Sequence, residues 1–346
     1  MTTIVATIQS VTSEVNYYGP IIVLSFGIFG CICNFITFTA TQLHKNSCAF
    51  YFFCAAIFDL LSITFGVTTR FANDHLGSTL LNTNRIYCKI RAYLVSAIPL
   101  VAMYLVLLSS IDRCMSSSLN VRLRSFSQIR IAYRATAIVI VISFLSCSHI
   151  LVSYDLRPIC ATMPGPYAMF DSMFVVFWLG VIPHLSMLIF GFFTIMNIRQ
   201  TKRRIGVQLQ TINLTIYNQS QHLERKKDKQ LIIMMLGQVG LSSLLVMTRM
   251  ISYACYILKP RATGYEALVD TFLMSFTILL YYANFAKSFY IYTLSSHLFR
   301  SIFMYRIKVG IRKILGQYTP SMLNDNGIQV ITSTAAFRTR NLVERI

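Results

Sequence analysis

Apolar residues run along this chain in long blocks separated by short polar breaks, not in the narrow stripes of a water-soluble domain. Seven blocks reach the roughly 20 predominantly apolar residues that a helix needs to cross a bilayer. They cover about 18–41, 48–70, 86–112, 131–153, 168–198, 230–258 and 267–293. Past 293, "TLSSHLFRSIFMYRIKVGIRKIL" mixes apolar and basic residues at helical spacing. That pattern suits a helix lying on a membrane surface rather than an eighth span. The chain is thus expected to be an all-α membrane protein, a seven-transmembrane helix bundle with a short amphipathic surface helix after the seventh span. Segments 1–17, 18–293, 294–314 and 315–346 would be an N-terminal segment, the bundle, the surface helix with its basic stretch, and a polar tail. Phe299, Ile302 and Phe303 would carry the surface helix's contact with lipid, and its basic residues would face anionic headgroups.

Composition agrees with the pattern. Of 346 residues, 55% are hydrophobic and only 12% charged, against about a quarter charged in a soluble domain. The formal net charge of +19 would suit a nucleic-acid binder if it lay on one soluble domain. Here the basic residues sit between apolar blocks, so no nucleic-acid partner is expected. Their distribution sets the orientation instead. On one side lie Lys45, then Arg122, Arg124, Arg130 and Arg134, then the run from Arg199 to Lys229, then the basic C-terminal segment. The other side holds Arg85, Arg157, Lys259 and Arg261, with Arg70 near an edge. The N-terminus is therefore expected outside and the C-terminus in the cytoplasm of a multi-pass plasma-membrane protein.

Most of the nine cysteines fall inside the blocks, where cysteine behaves as a small apolar residue, and none has metal-binding spacing. Cys88 and Cys160 differ, because both fall on the outer side. They could bridge in an oxidising compartment, or be two unrelated thiols. Arg113 lies 25 positions after Cys88, roughly 37 Å of helix at about 1.5 Å per residue. One helix therefore runs from Cys88 on the outer edge to the pair Asp112-Arg113 on the inner edge. Asp59 is an acid inside the second block, and an ionisable residue at membrane depth is a functional candidate by default.

With these features the chain resembles the rhodopsin-like G-protein-coupled receptors. The likeness rests on seven spans, the spacing from Cys88 to Arg113, and Asp112-Arg113-Cys114 in the place of an Asp-Arg-aromatic triplet. It also rests on Asn34 in "GCICN", Asp59 in "CAAIFDLL", Pro183 in "VIPHL", and Tyr292 in "SFYIYTLSSHLFR". Over roughly residues 18 to 306 it implies a Cys88–Cys160 disulfide. It implies that Asp112 neutralises Arg113 at rest and that the freed arginine supports a heterotrimeric G protein, with Tyr292 as the motif tyrosine. It implies an inner polar network of Asn34, Asp59, Asn284 and Ser288. Departures are equally plain. Ser288-Phe289 stands where the family has Asn-Pro, the sixth span has neither proline nor the Cys-Trp-x-Pro motif, and the seventh has no proline. The family's sodium pocket is half present, since Ala102 replaces a serine, and no other cofactor or metal is expected.

The expected function is transduction of an extracellular ligand into G-protein activation, not enzymatic catalysis. Arrestin and receptor kinases are implied partners, with Ser116, Ser117, Ser118 and Thr332-Ser333-Thr334 as phosphorylation candidates. A transporter or channel is the alternative class; the chain shows no internal repeat. Val95, where amine receptors carry an aspartate, argues against an amine ligand. Lys287, beside Ser288-Phe289, is too near the cytoplasmic end for a retinal Schiff base. Arg70 and Arg91 face Asp171, Glu266 and Asp270 across the expected outer vestibule. That divided charge suits a short peptide with a basic group, as for a neuropeptide receptor, better than a lipid or another chemosensory ligand.

Overall fold

The computed structural model describes residues 2–40, 43, 46–157, 159–208, 217–258 and 264–314. Lys45, Lys259, Arg261, the 315–346 tail and its Thr332-Ser333-Thr334 cluster lie outside the described residues. Among the described residues, seven helices are long and apolar enough to cross a membrane: Val5–Phe38, Ser47–His75, Arg85–Ser117, Ile129–Ser153, Pro166–Thr201, Lys229–Leu258 and Tyr265–Ala286. They form a seven-transmembrane bundle, and the chain is a multi-pass membrane protein.

The polarity of the bundle is that of a protein dissolved in lipid. Phe26, Phe29, Ile138, Leu145 and Phe192 are exposed, whereas Asn34, Asp59, Asp112, Arg113, His184 and Asn284 are buried. Helices suit this solvent because every mid-span backbone group is satisfied within its own segment. The third span is the most enclosed, with Leu100, Val101, Ala102 and Leu105 all without appreciable exposure. Its N-terminus is capped by Asn84, whose side chain accepts from Ile86 N and Tyr87 N; Asn46 caps the second span through Cys48 N and Ala49 N.

Four spans depart from the pattern read in the sequence. The first helix starts at Thr2, so residues 2–17 continue it rather than form a separate segment. Ile4, Val5, Ile8, Val11 and Val15 keep a helical period there, and no glycine or proline intervenes before Gly19. The fourth span breaks between Ile129–Ser146 and His149–Ser153. In the fifth, a π-helical stretch, Phe174–Val181, joins Pro166–Met173 to Ile182–Gln208. Pro183 lies just beyond it; proline lacks an N–H and its ring crowds the carbonyl four residues back, which favours such a widened turn. The seventh helix ends at Ala286 and resumes as Ser288–Ser295, a break without proline.

A two-stranded hairpin, β1 (Tyr154–Leu156) and β2 (Cys160–Thr162), closes one end, with Asp155 opposite Ala161. Cys160 on β2 is disulfide-bonded to Cys88, so the hairpin is tied to the start of the third span. At the other end the helix His297–Ile314 follows the seventh span. Phe299 and Ile302 do not reach outward as the sequence reading had it. They are buried, and the Phe299 ring packs on Phe38, Phe289 and Tyr292 at 5.4–6.0 Å.

Candidate functional site

Two polar clusters lie inside the bundle, and a third feature sits at its disulfide end. The first cluster closes the opposite end of the third span. Arg113 and Asp112 are 2% and 3% exposed, and that burial requires them to pair. Arg113 donates to Asp112 Oδ2 from Nη2 at 2.6 Å and from Nε at 3.2 Å. The second carboxylate oxygen, Oδ1, accepts from Ser47 Oγ at 2.7 Å and from Ser127 Oγ at 2.8 Å. Arg113 Nη2 also reaches Asn46 Oδ1 at 3.4 Å, the oxygen that caps the second span. Asp112 is thus held from both sides, by the arginine and by two hydroxyls. Because the two hydroxyls share the carboxylate's charge, the acid stays hydrogen-bonded if the arginine turns away.

Sequence reasoning named Asp112 and Arg113 but not Asn46, Ser47 or Ser127. The available signal was weak, a cap asparagine followed by serine at the start of an apolar block. Next to the pair, Asn197 of the fifth span donates to Cys114 O at 3.2 Å and to Ser117 Oγ at 3.3 Å. Tyr292 is buried in an aromatic cluster with Phe38, Phe52 and Phe299, at ring distances of 5.0–5.7 Å.

The second cluster lies mid-bundle and brings together Asn34, Asp59, Asn284 and Ser288, the four residues of the expected inner network. Asn34 Nδ2 donates to Ser288 Oγ at 3.0 Å, and Ser288 Oγ donates to Asp59 Oδ2 at 3.4 Å. Lys287, too near the cytoplasmic end for a Schiff base, joins this network instead. Lys287 is buried, and its Nζ donates to Asn284 Oδ1 at 2.6 Å, Asn284 O at 2.8 Å and Ser242 Oγ at 2.8 Å. In an unbroken helix that Asn284 carbonyl would accept from the Ser288 N–H. Its capture by an ammonium accounts for the break at Lys287 where proline is missing.

Lys287 and Asp59 attract each other across the cluster without touching, so the buried acid has its counter-charge inside the protein. A small cavity with room for about one water molecule is lined by Asp59, Ala102, His184, Gln238, Ser242 and Asn284. Among the described residues, His184 Nε2 and Gln238 Oε1 there have no hydrogen-bond partner. His184 Nδ1 lies 2.7 Å from Gly180 O, a contact that places the proton on Nδ1 and leaves Nε2 to accept. The sodium ion implied by the resemblance does not fit this site. Lys287 already takes the Asn284 and Ser242 oxygens and supplies the positive charge, and Ala102 offers no oxygen.

At the disulfide end, the expected vestibule residues divide. Arg70 pairs with Asp74 at 3.3 Å, and Arg91 donates to Thr69 Oγ1 at 3.2 Å. Asp171 does not stand in an open vestibule. It is buried, accepts from Tyr154 Oη at 3.0 Å, and lies 3.7 Å from His149 Nε2. Glu266 is exposed in the first turn of the seventh span, and Asp270 is half-buried one turn on.

No protein-family model and no curated protein matches the chain. The class of the protein, a seven-span helical membrane protein, therefore rests on its own fold and on the two clusters.

Proposed function

We propose that this protein is a receptor of the rhodopsin-like type that passes binding of an extracellular ligand to a heterotrimeric G protein. The observation that carries this reading is the buried Asp112–Arg113 pair. It closes the end of the helix whose other end is tied by the Cys88–Cys160 disulfide to a hairpin. A ligand seated near the hairpin and a partner seated at Arg113 would then act on opposite ends of one helix. The Ser47 and Ser127 hydroxyls would keep Asp112 hydrogen-bonded while the guanidinium turns to the partner. The reading places the N-terminus outside and the plasma membrane as its site. Arrestin and receptor kinases are further partners, with Ser116, Ser117 and Ser118 as substrates beside the pair. The ligand is a short peptide, and Glu266 and Asp270 supply the acidic rim that a basic side chain would meet.

Nucleotide exchange on added G proteins, measured against ion flux in the same cells, separates receptor from transporter or channel. Arg113→Ala is expected to abolish ligand-driven exchange with surface expression largely intact. Asp112→Asn is expected to raise exchange without ligand. Normal exchange in Arg113→Ala, or ion flux without exchange in the wild type, would sink the reading.

A further inference from the structure

Three arginines enter the bundle from its disulfide end. Arg70 lies five residues inside the end of the second span, Arg91 six inside the third, and Arg249 nine inside the sixth. At about 1.5 Å per residue these positions lie roughly 7–14 Å along their helices from that end. Arg91 donates to Thr69, the neighbour of Arg70 in the chain. Across the bundle Arg249 donates to Met274 O at 3.3 Å and Thr277 Oγ1 at 3.2 Å, and lies 5.3 Å from the centre of the Tyr253 ring. Tyr282 follows Thr277 by five residues on the same helix. A Cβ on Gly66 would come within 2.7 Å of its phenol oxygen, so Tyr282 reaches the second span one turn below Arg70. All three guanidinium groups act electrostatically on this phenol, and Arg70 and Arg249 repel each other.

Counter-charge is short. Among the described residues Arg70 has Asp74 as its partner, and neither Arg91 nor Arg249 has a carboxylate within 4.0 Å. Both are held by neutral oxygens and an aromatic face. Cations inside a membrane bundle are costly unless paired, and they mark the place of an ionic partner. Guanidinium is the side chain best suited to a planar, two-oxygen anion.

We infer that Arg70, Arg91 and Arg249 form an anion-binding site that takes a carboxylate of the ligand. This deepens the receptor reading and rests on it for the ligand's role, but not for the binding itself. A carboxylate here could be the C-terminus of a peptide or the head of a fatty acid. A peptide could still place a basic side chain against Glu266 and Asp270.

The test uses purified full-length protein in detergent micelles, with thermal stability followed at rising probe concentration, since a ligand that binds only the folded state raises its melting temperature. N-acetyl-phenylalanine is compared with N-acetyl-phenylalaninamide, and octanoate with octanamide. At least one carboxylate is expected to stabilise the protein at millimolar concentration, and the amides are not; which carboxylate is tighter distinguishes peptide terminus from fatty acid. Arg249→Gln and Arg91→Gln should each weaken that carboxylate about ten- to hundredfold, the range for a charge-assisted hydrogen bond. Arg249→Lys, which keeps the charge, should weaken it less and serves if Arg249→Gln does not fold. Arg300→Gln, at the opposite end, should change nothing. No stabilisation by either carboxylate, equal stabilisation by the amides, or unchanged affinity in Arg91→Gln and the Arg249 variants would overturn the site. Carboxylate binding without nucleotide exchange would count against the receptor reading alone.

Discussion

Lys287 and Asp59 show how one residue can replace two features at once. A lysine in an apolar helix is costly, and it is tolerated here because its three donors meet Asn284 O, Asn284 Oδ1 and Ser242 Oγ beside a buried acid. The same ammonium interrupts the seventh helix where proline would, and takes the place an ion would hold. Removing one member of a buried pair leaves the other charge uncompensated, typically at about 3–5 kcal/mol, whereas removing both can be neutral. Lys287→Met and Asp59→Asn are therefore each expected to lower thermal stability and folded yield, and the double variant to recover most of the loss. If the losses instead add, the two residues are not a pair. At Asp112, by contrast, Ser47 and Ser127 hold the acid as well, so its arginine can leave at lower cost.

At the scale of the element, contacts between helices are set by small residues and by the hairpin. Gly66 lies where the Tyr282 ring crosses the second span, and a Cβ there would stand 2.6 Å from a ring carbon. Gly66→Ala must displace the ring or part the helices, and overpacking of this kind costs about 1–3 kcal/mol. A lower melting temperature, with weaker carboxylate binding as the ring shifts toward the arginines, is the expected result; an unchanged melting point would mean the second and seventh spans have slack.

The hairpin has its own lever. Arg85 donates to Asp155 at 2.6 Å and, chiefly through that bond, holds the Asp155 carboxyl below its ordinary value of 3.8. A depressed carboxylate contributes stability that is present above the unfolded value and lost as pH falls through the folded one. Exchange protection of the hairpin amides should therefore weaken below about pH 4. Arg85→Gln should be less protected at neutral pH and flatter across that range. The effect is small, because the pair is at the surface.

For the molecule as a whole, the testable property is its direction in the membrane. Lysine and arginine outside the spans crowd the Arg113 end, and that bias normally marks the cytoplasmic side. A tag on the N-terminus should be accessible in intact cells, and one on the C-terminus only after permeabilisation. The reverse result would place the arginine site inside the cell and remove the ligand reading with it.

The sequence by itself determined what depends on sums along the chain. Block length and apolar content decided that there are seven spans, since crossing a bilayer is a matter of length and transfer energy, and both are local. Cys88, Asp112 and Arg113 were legible because a helix converts residue count directly into depth. Asp59 was legible because an acid in an apolar block is conspicuous. Tertiary structure decided which side chains meet, because burial of a charge is settled by partners far away in the chain. Lys287 read as a residue near a membrane edge until Ser242, 45 residues earlier, and Asp59, 228 residues earlier, enclosed it. Asp171 read as part of an open rim until Tyr154 and His149 closed over it. Arg249 read only as a charge inside the sixth block, because the residues proposed to act with it, Arg70 and Arg91, lie on two other helices. The paired acid that would have made it ordinary is missing from its surroundings among the described residues, and no pattern within one helix records that.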